Sequence, residues 1–221
     1  MFDRTEFEES PMQKKPSNKD KELVPVTPRG EATRRKILES AEIEFGNKGF
    51  HTASVSSITQ RADVGQGTFY LYFHSKEEIF STLVKEIGRN LRRSMSVSVA
   101  TGKGRLDAER KGLEAFFAFA QSHPGLYRIV QEAQFVDEPT FRDYYLRLAR
   151  GYSDGLSAAT NAGELSKGDP ELRAWAIMGI GHMVGMRHCL WGGQVPTQAN
   201  LDELMRFIEE GMAPAVVGKK R

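Results

Sequence analysis

From Thr27 onward, apolar residues recur at three- to four-residue spacing with polar residues between them, the period of amphipathic helices. Ile37, Leu38, Ala41 and Phe45 make the first stripe. Thr27-Pro28 reads as a helix cap followed by proline at the first helical position, and Gly49 as the close of that helix. A short helix over 54–62 places Val55, Ile58 and Ala62 on one face. Asp63-Val64-Gly65 is a turn, and a second short helix runs over 66–73. Ser75 and Glu78 form a capping box, which opens a long helix striped by Ile79, Leu83, Ile87 and Leu91. Further helices are predicted over 105–122 (Leu106, Leu113, Phe116, Phe117, Ala120), from Leu126 until Asp137-Glu138-Pro139, through Phe141, Tyr144, Tyr145, Leu148 and Tyr152, from Asp169-Pro170 to Trp191, and over 198–213. No segment alternates with period two for long enough to predict a strand. The chain is all-α, with about nine helices. Residues 1–26 lack apolar periodicity and read as a disordered arm, a solvated tail in which Lys14, Lys15, Lys19 and Lys21 are available to phosphate.

Composition narrows the classes. Of 221 residues, 39% are hydrophobic and 27% charged, a globular balance. No apolar run reaches the ~18 residues of a membrane span, and the acidic start is not that of a signal peptide. One cysteine, Cys189, excludes an internal disulfide and a Cys-rich zinc site, so a reducing, cytoplasmic setting is expected. The net charge of +2 is too mild to name a nucleic-acid partner. It lies in residues 1–97, with 16 Lys+Arg against 14 Asp+Glu, whereas residues 98–221 carry 15 of each.

Enzyme motifs fail on spacing. Gly179-Ile180-Gly181 has Val184 where a third glycine is needed, and Gly102-Lys103-Gly104 lacks the P-loop spacing. No Glu-x-x-His occurs, and His182 and His188 stand six apart, a poor spacing for one metal on one helix face. No cofactor and no metal are expected.

The segment 54–73 is the informative one. Two short helices joined by a three-residue turn, with Ile58, Ala62, Val64 and Phe69 placed inward, match a helix-turn-helix. Such a unit presents the outer face of its second helix to the major groove. Gln66, Thr68, Leu71 and Tyr72 lie on that face. Gln pairs with adenine, while Thr and Leu contact a thymine methyl. Tyr70, Tyr72 and Lys76 are within reach of phosphate oxygens.

At residues 34–80 the chain resembles the tetracycline-repressor (TetR) family. The resemblance rests on Phe45, Gly49-Phe50, Val64, Gly67-Thr68-Phe69-Tyr70, Phe73 and Ser75-Lys76-Glu77-Glu78 at fixed spacing. It implies that Gln66, Thr68 and Leu71 face bases, that Ser54, Tyr70, Tyr72 and Lys76 hold phosphates, and that Gly67 allows close approach to the DNA backbone. Three positions depart from the family pattern. Asp63 replaces a turn glycine and tolerates a left-handed conformation. Gly65 replaces a Ser or Thr cap at a cost of a few tenths of a kcal/mol. Thr59 replaces an alanine and crowds the helix crossing.

The resemblance also implies a domain order: a three-helix DNA-binding domain over 27–74, then a helical-bundle effector-binding and dimerisation domain over 75–221, joined to a second copy by its last two helices. Gly181 and Gly185 share a face that permits close helix packing. Trp175, Met178, Met183, Met186, Cys189 and Trp191 make the same helix apolar nearly all round, as a subunit-interface helix is. The candidate effector residues are Phe116, Tyr127, Phe135, Tyr145 and Met178 as walls, with Arg128, Gln131 and His182 as polar anchors. That set suits an acyl or aromatic carboxylate or its thioester. The expected function is a ligand-responsive repressor that binds a palindromic operator as a homodimer. An architectural DNA-binding protein without effector and a helical enzyme are the rivals.

Overall fold

The computed structural model describes residues 27–212, and every regular element among them is helical. The disordered-arm reading of residues 1–26 lies outside the described residues, as does Ala213. The elements are α1 (Pro28–Thr52), α2 (Val55–Arg61), α3 (Gln66–Phe69), α4 (Lys76–Val99), α5 (Arg105–Ser122), α6 (Leu126–Val136), α7 (Glu138–Asn161), α8 (Pro170–Gly185) and α9 (Gln198–Met212). A π-helical segment, Met186–Leu190, prolongs α8.

The punctuation read from sequence is mostly realised. Thr27 Oγ1 accepts from Gly30 N, as a cap should. Gly49 interrupts α1 at φ 78°, a left-handed value glycine reaches without a Cβ penalty, and one further turn runs to Thr52. Ser75 Oγ accepts from Glu78 N, but Glu78 reaches back to His74 N rather than to Ser75 N. The capping box is therefore displaced by one residue on its return side. The recognition element is shorter than expected: α3 holds four residues, and Tyr70–Tyr72 continue as turns.

The DNA-binding and C-terminal parts share one core. Phe45 and Phe50 of α1 pack edge-on against Phe80 of α4, with ring centroids 5.1 and 5.0 Å apart. α1 crosses α6 so closely that a Cβ on Gly46 would stand 2.7 Å from the Gly125 Cα. α4 packs along α5 and α7, and α8 lies on α7 and α5.

Two expectations for α8 change. The α-helix ends at Gly185, not Trp191, and the π turn brings Cys189 Sγ to the Phe117 carbonyl at 3.6 Å. Gly181 and Gly185 face inward, not toward a partner subunit. A Cβ on Gly181 would stand 3.1 Å from Leu113, and one on Gly185 would collide with the Tyr127 hydroxyl. The opposite side of α8 carries the exposed Leu172, Trp175 and Met183, and Phe207 is exposed on α9.

Candidate DNA interface and effector cavity

α3 is fixed from beneath. Ile58, Ala62 and Phe69 are wholly buried, and Phe73 packs on Phe69 at 5.6 Å. The turn uses Asp63 at φ 51°, the left-handed conformation its sequence position implied. Gly65 caps α3 with no side-chain bond, and the buried Thr59 hydroxyl donates to Ser56 O, so its polarity is satisfied within α2. A further anchor was not singled out from sequence. The buried Glu44 of α1 accepts from Arg61 Nε of α2 at 2.7 Å and from Lys48 Nζ at 2.6 Å. Its carboxyl is pulled down to about 2, first by the bond to Lys48, against the cost of burial and with help from Arg61. Glu44 sets the α1–α2 angle, and so the placement of α3.

Seven of the eight predicted DNA-contact residues lie on or beside this outer surface. Gln66, Gly67, Tyr70 and Leu71 are exposed, while Thr68 and Tyr72 are half-buried. Ser54 is exposed and caps α2 through a reciprocal pair with Ser57. A Cβ on Gly67 would meet nothing within 4 Å, so the chain's own packing does not demand glycine there. Lys76, the eighth, is also engaged within the fold. Its ammonium donates to Phe50 O at 2.8 Å and Ala53 O at 3.0 Å, and sits 4.3 Å from the centre of the Phe50 ring. It ties the start of α4 to the end of α1, leaving one N–H donor for phosphate.

Four of the eight predicted effector residues line one cavity between α4, α5, α7 and α8: Phe116, Tyr145, Met178 and His182. Its volume is about 30 Å³, about one water's share of liquid. Burial pushes the His182 imidazole down, so it is neutral at neutral pH. Burial also raises the Tyr144, Tyr145 and Tyr152 phenols, which remain protonated donors. Among the described residues, none of these three hydroxyls has a hydrogen-bond partner.

The other four are placed elsewhere. Tyr127 stands behind the cavity wall, with its hydroxyl on the His182 carbonyl and its ring 5.1 Å from the imidazole. Arg128 points away and donates to Asn47 O at 2.7 Å. Gln131 is exposed and reaches only Met186 Sδ, at 3.8 Å. Phe135 is 84% exposed. Tyr127, Gln131 and Phe135, spaced four apart along α6, leave the core within two turns, because α6 crosses α1 rather than continuing along the bundle. That crossing carries a second link the sequence hid: Glu132 Oε2 accepts from Phe50 N at 2.6 Å.

Among the described residues, no three His, Cys, Asp or Glu side chains gather as a metal site would require, and no helix is long and apolar enough to cross a membrane.

Residues 37–83 match the family of bacterial regulatory proteins known as the tetR family. Over 191 residues the chain is 29% identical to an uncharacterized HTH-type transcriptional regulator, YdgC, of Bacillus subtilis, covering 84% of this chain and 95% of that one. Over 112 residues it is 29% identical to the HTH-type transcriptional activator FasR of Mycolicibacterium smegmatis, covering 51% of each. The fold is shared with the fatty acid degradation regulator FadR of Bacillus halodurans, at a TM-score of 0.72 and 18% identity, covering 84% and 96% of the two chains. Both sequence relatives are HTH-type transcriptional regulators.

Proposed function

From the premise that this chain belongs to the tetR family of bacterial regulatory proteins, we propose that it is a dimeric, cytoplasmic repressor released from its operator by a small, mostly apolar effector. One observation carries the DNA-binding half of this reading: α3 is rigidly seated on buried Phe69 and Phe73 while Gln66, Gly67, Tyr70 and Leu71 face outward. Exposed leucine at 68% and glycine without an internal packing reason make little sense on a free surface. They suit a methyl-bearing groove edge and a close backbone approach.

The dimer reading rests on Leu172, Trp175 and Met183 of α8 and Phe207 of α9, apolar side chains exposed on the two last helices. Large apolar patches of that kind mark interfaces, and a second copy is the occupant the family implies. The effector reading rests on the aromatic cavity with its three unpartnered phenols and neutral imidazole.

The path between sites runs through α6. Tyr127 touches the cavity residue His182, the next residue Arg128 holds Asn47 of α1, and one turn further Glu132 holds Phe50 of α1. Lys76, the first residue of α4, holds the same Phe50 from its carbonyl side. An effector that shifts α8 against α6 would therefore act on both supports of the DNA-binding unit.

Footprinting of the full chain on the DNA upstream of its own gene tests the proposal. The protected site should be an inverted repeat, because a two-fold dimer presents two α3 helices to grooves about one DNA turn apart. Gln66→Ala should relax the preference at one base pair per half-site, at a cost of roughly 1–3 kcal/mol. A single unpaired half-site, or a uniform loss on all sequences, would count against it. A reporter whose expression falls when the gene is deleted would make the chain an activator instead.

A further inference from the structure

Outside the aromatic cavity, α4 and α7 leave a groove of about 250 Å³, and the two spaces share Met95, Leu148 and Tyr152 as a common wall. Three guanidinium groups from three helices line this groove: Arg92 of α4, Arg105 of α5 and Arg147 of α7. Among the described residues, no carboxylate lines it. A second hollow of about 210 Å³ adjoins it through Arg92 and Arg147, and adds Lys85 and Arg89 with a single carboxylate, Asp143. Asp143 is already taken by Arg147, at 2.6 Å.

The charges here are incompletely matched. Among the described residues Arg92 makes no ion pair or hydrogen bond, and burial together with the nearby Arg147 charge pushes its guanidinium down from its ordinary range. Arg105 is paired with Glu109 through its terminal nitrogen, and its buried Nε has no partner among the described residues. A buried donor left without an acceptor is costly, and like charges that converge without an anion repel. One occupant answers the unpaired Arg92 and the converging charge together: an anion between Arg92, Arg105 and Arg147. The groove floor sets a third condition, since Met95, Val99, Leu148 and Tyr152 offer apolar surface running toward the cavity.

We propose that the α4–α7 groove is the headgroup subsite of the effector site, in which Arg92, Arg105 and Arg147 hold the anionic head of an amphipathic molecule whose apolar tail lies along the groove floor of Met95, Val99, Leu148 and Tyr152, at the wall shared with the aromatic cavity. This deepens the effector reading and rests on it. It also moves the anion from Arg128, where the sequence suggested it, to three arginines on other helices. The head is an oxyanion, a carboxylate or a phosphate ester, and both chemistries suit a planar guanidinium fork. Arg92 lies on the helix that begins beside α3, so closing Arg92 and Arg147 on one anion acts directly on the support of the DNA-binding unit.

The test measures binding to the full-length protein by calorimetry, with four probes: decanoate, decanoyl-coenzyme A, decanol and inorganic phosphate. The wild type should bind decanoate or decanoyl-coenzyme A at least about tenfold more tightly than decanol, the order expected for charge-assisted bonds. Which of the two binds more tightly assigns the head as carboxylate or phosphate ester. Arg92→Gln and Arg147→Gln should each remove that advantage without weakening decanol, and Arg92→Lys should restore part of it. Because Arg92 and Arg147 are on the groove wall, thermal melts of the variants should match the wild type. Equal binding of decanol and the two anionic probes overturns the subsite, as does anion binding unchanged in both Gln variants. Inorganic phosphate binding as tightly as the acyl probes overturns the amphipathic assignment. Operator affinity, measured on the same samples, separates this proposal from the effector reading: arginine-dependent binding with unchanged operator affinity upholds the subsite and removes the regulatory role.

Discussion

Replacing Lys76 by methionine keeps the aliphatic stem but removes two donors to the carbonyls that end α1 and the cation over Phe50. Charge-assisted bonds of this kind contribute about 1–3 kcal/mol together with the ring contact. Lys76→Met should therefore lower the melting temperature and leave the salt slope of DNA binding unchanged, whereas a lost phosphate contact reduces that slope by about 1 per half-site. A reduced slope with an unchanged melting temperature would make phosphate its main partner. Glu44 gives a pH signature. Its folded pKa, about 2, lies below the ordinary 4.5. A depressed carboxylate contributes stability that is complete above the unfolded value and is lost as pH falls through the folded one. Urea midpoints should thus fall between about pH 4.5 and pH 2 in the wild type, and Glu44→Gln should flatten that part of the profile. Equal slopes in the two proteins would remove Glu44 as a determinant. Both residues were half legible in the sequence. Glu44 is a carboxylate inside an apolar stripe, and Lys76 sits in a matched motif. Lys48 is an i,i+4 neighbour of Glu44 on α1, but Arg61 and the Phe50 and Ala53 carbonyls that hold Lys76 come from other elements, and no local spacing encodes them.

α3 was legible in position but not in length. The period that places Phe69 and Phe73 inward fits a full helix, yet only four residues are helical and Tyr70–Tyr72 turn. Gly65 at the cap and Gly67 within explain the shortfall, since glycine disfavours helix by about 1 kcal/mol relative to alanine. This yields opposed outcomes for one substitution. Gly67→Ala has open space for its Cβ and should raise thermal stability by roughly 0.5–1 kcal/mol. If the DNA backbone approaches here, the same methyl should weaken operator binding. Gain in stability without loss of affinity, measured by melting and gel shift on one preparation, would show that nothing approaches Gly67. α6 illustrates the opposite limit. Its spacing joins Tyr127, Gln131 and Phe135 in one stripe, but periodicity does not say which neighbour a stripe faces or where it leaves the core. The Gly46–Gly125 crossing decides that, and it turns Arg128 and Glu132 from effector candidates or bystanders into ties to α1. In α8 the same ambiguity reversed a face: the two glycines seat Leu113 and Tyr127 instead of a partner subunit.

Across the whole molecule, the proposed regulation requires that an effector prefer a conformation in which the α3 helices of a dimer no longer match their grooves. Moving occupancy from about 99:1 to 1:99 takes roughly 5.5 kcal/mol of preference, shared by the effector molecules of a dimer. Linkage makes the coupling reciprocal, so operator DNA must weaken effector binding by the same factor. The structure offers a residue that separates coupling from binding. Glu132 touches neither the cavity nor the outer face of α3, yet it holds Phe50 N, while Lys76 holds Phe50 O. Glu132→Ala should leave effector affinity, measured without DNA, within about threefold of the wild type, and likewise operator affinity measured without effector. Its coupling factor, measured from either direction with a compound that raises the melting temperature of the wild type, should fall by about tenfold, the loss of roughly 1.4 kcal/mol. If Glu132→Ala lowers both separate affinities and preserves their ratio, Phe50 is merely a structural joint, and coupling passes instead along α4, whose first turn supports α3 and whose Arg92 and Met95 wall the groove and cavity. The two routes then differ in one measurable respect: a coupling carried by α4 is lost in Arg92→Gln and kept in Glu132→Ala.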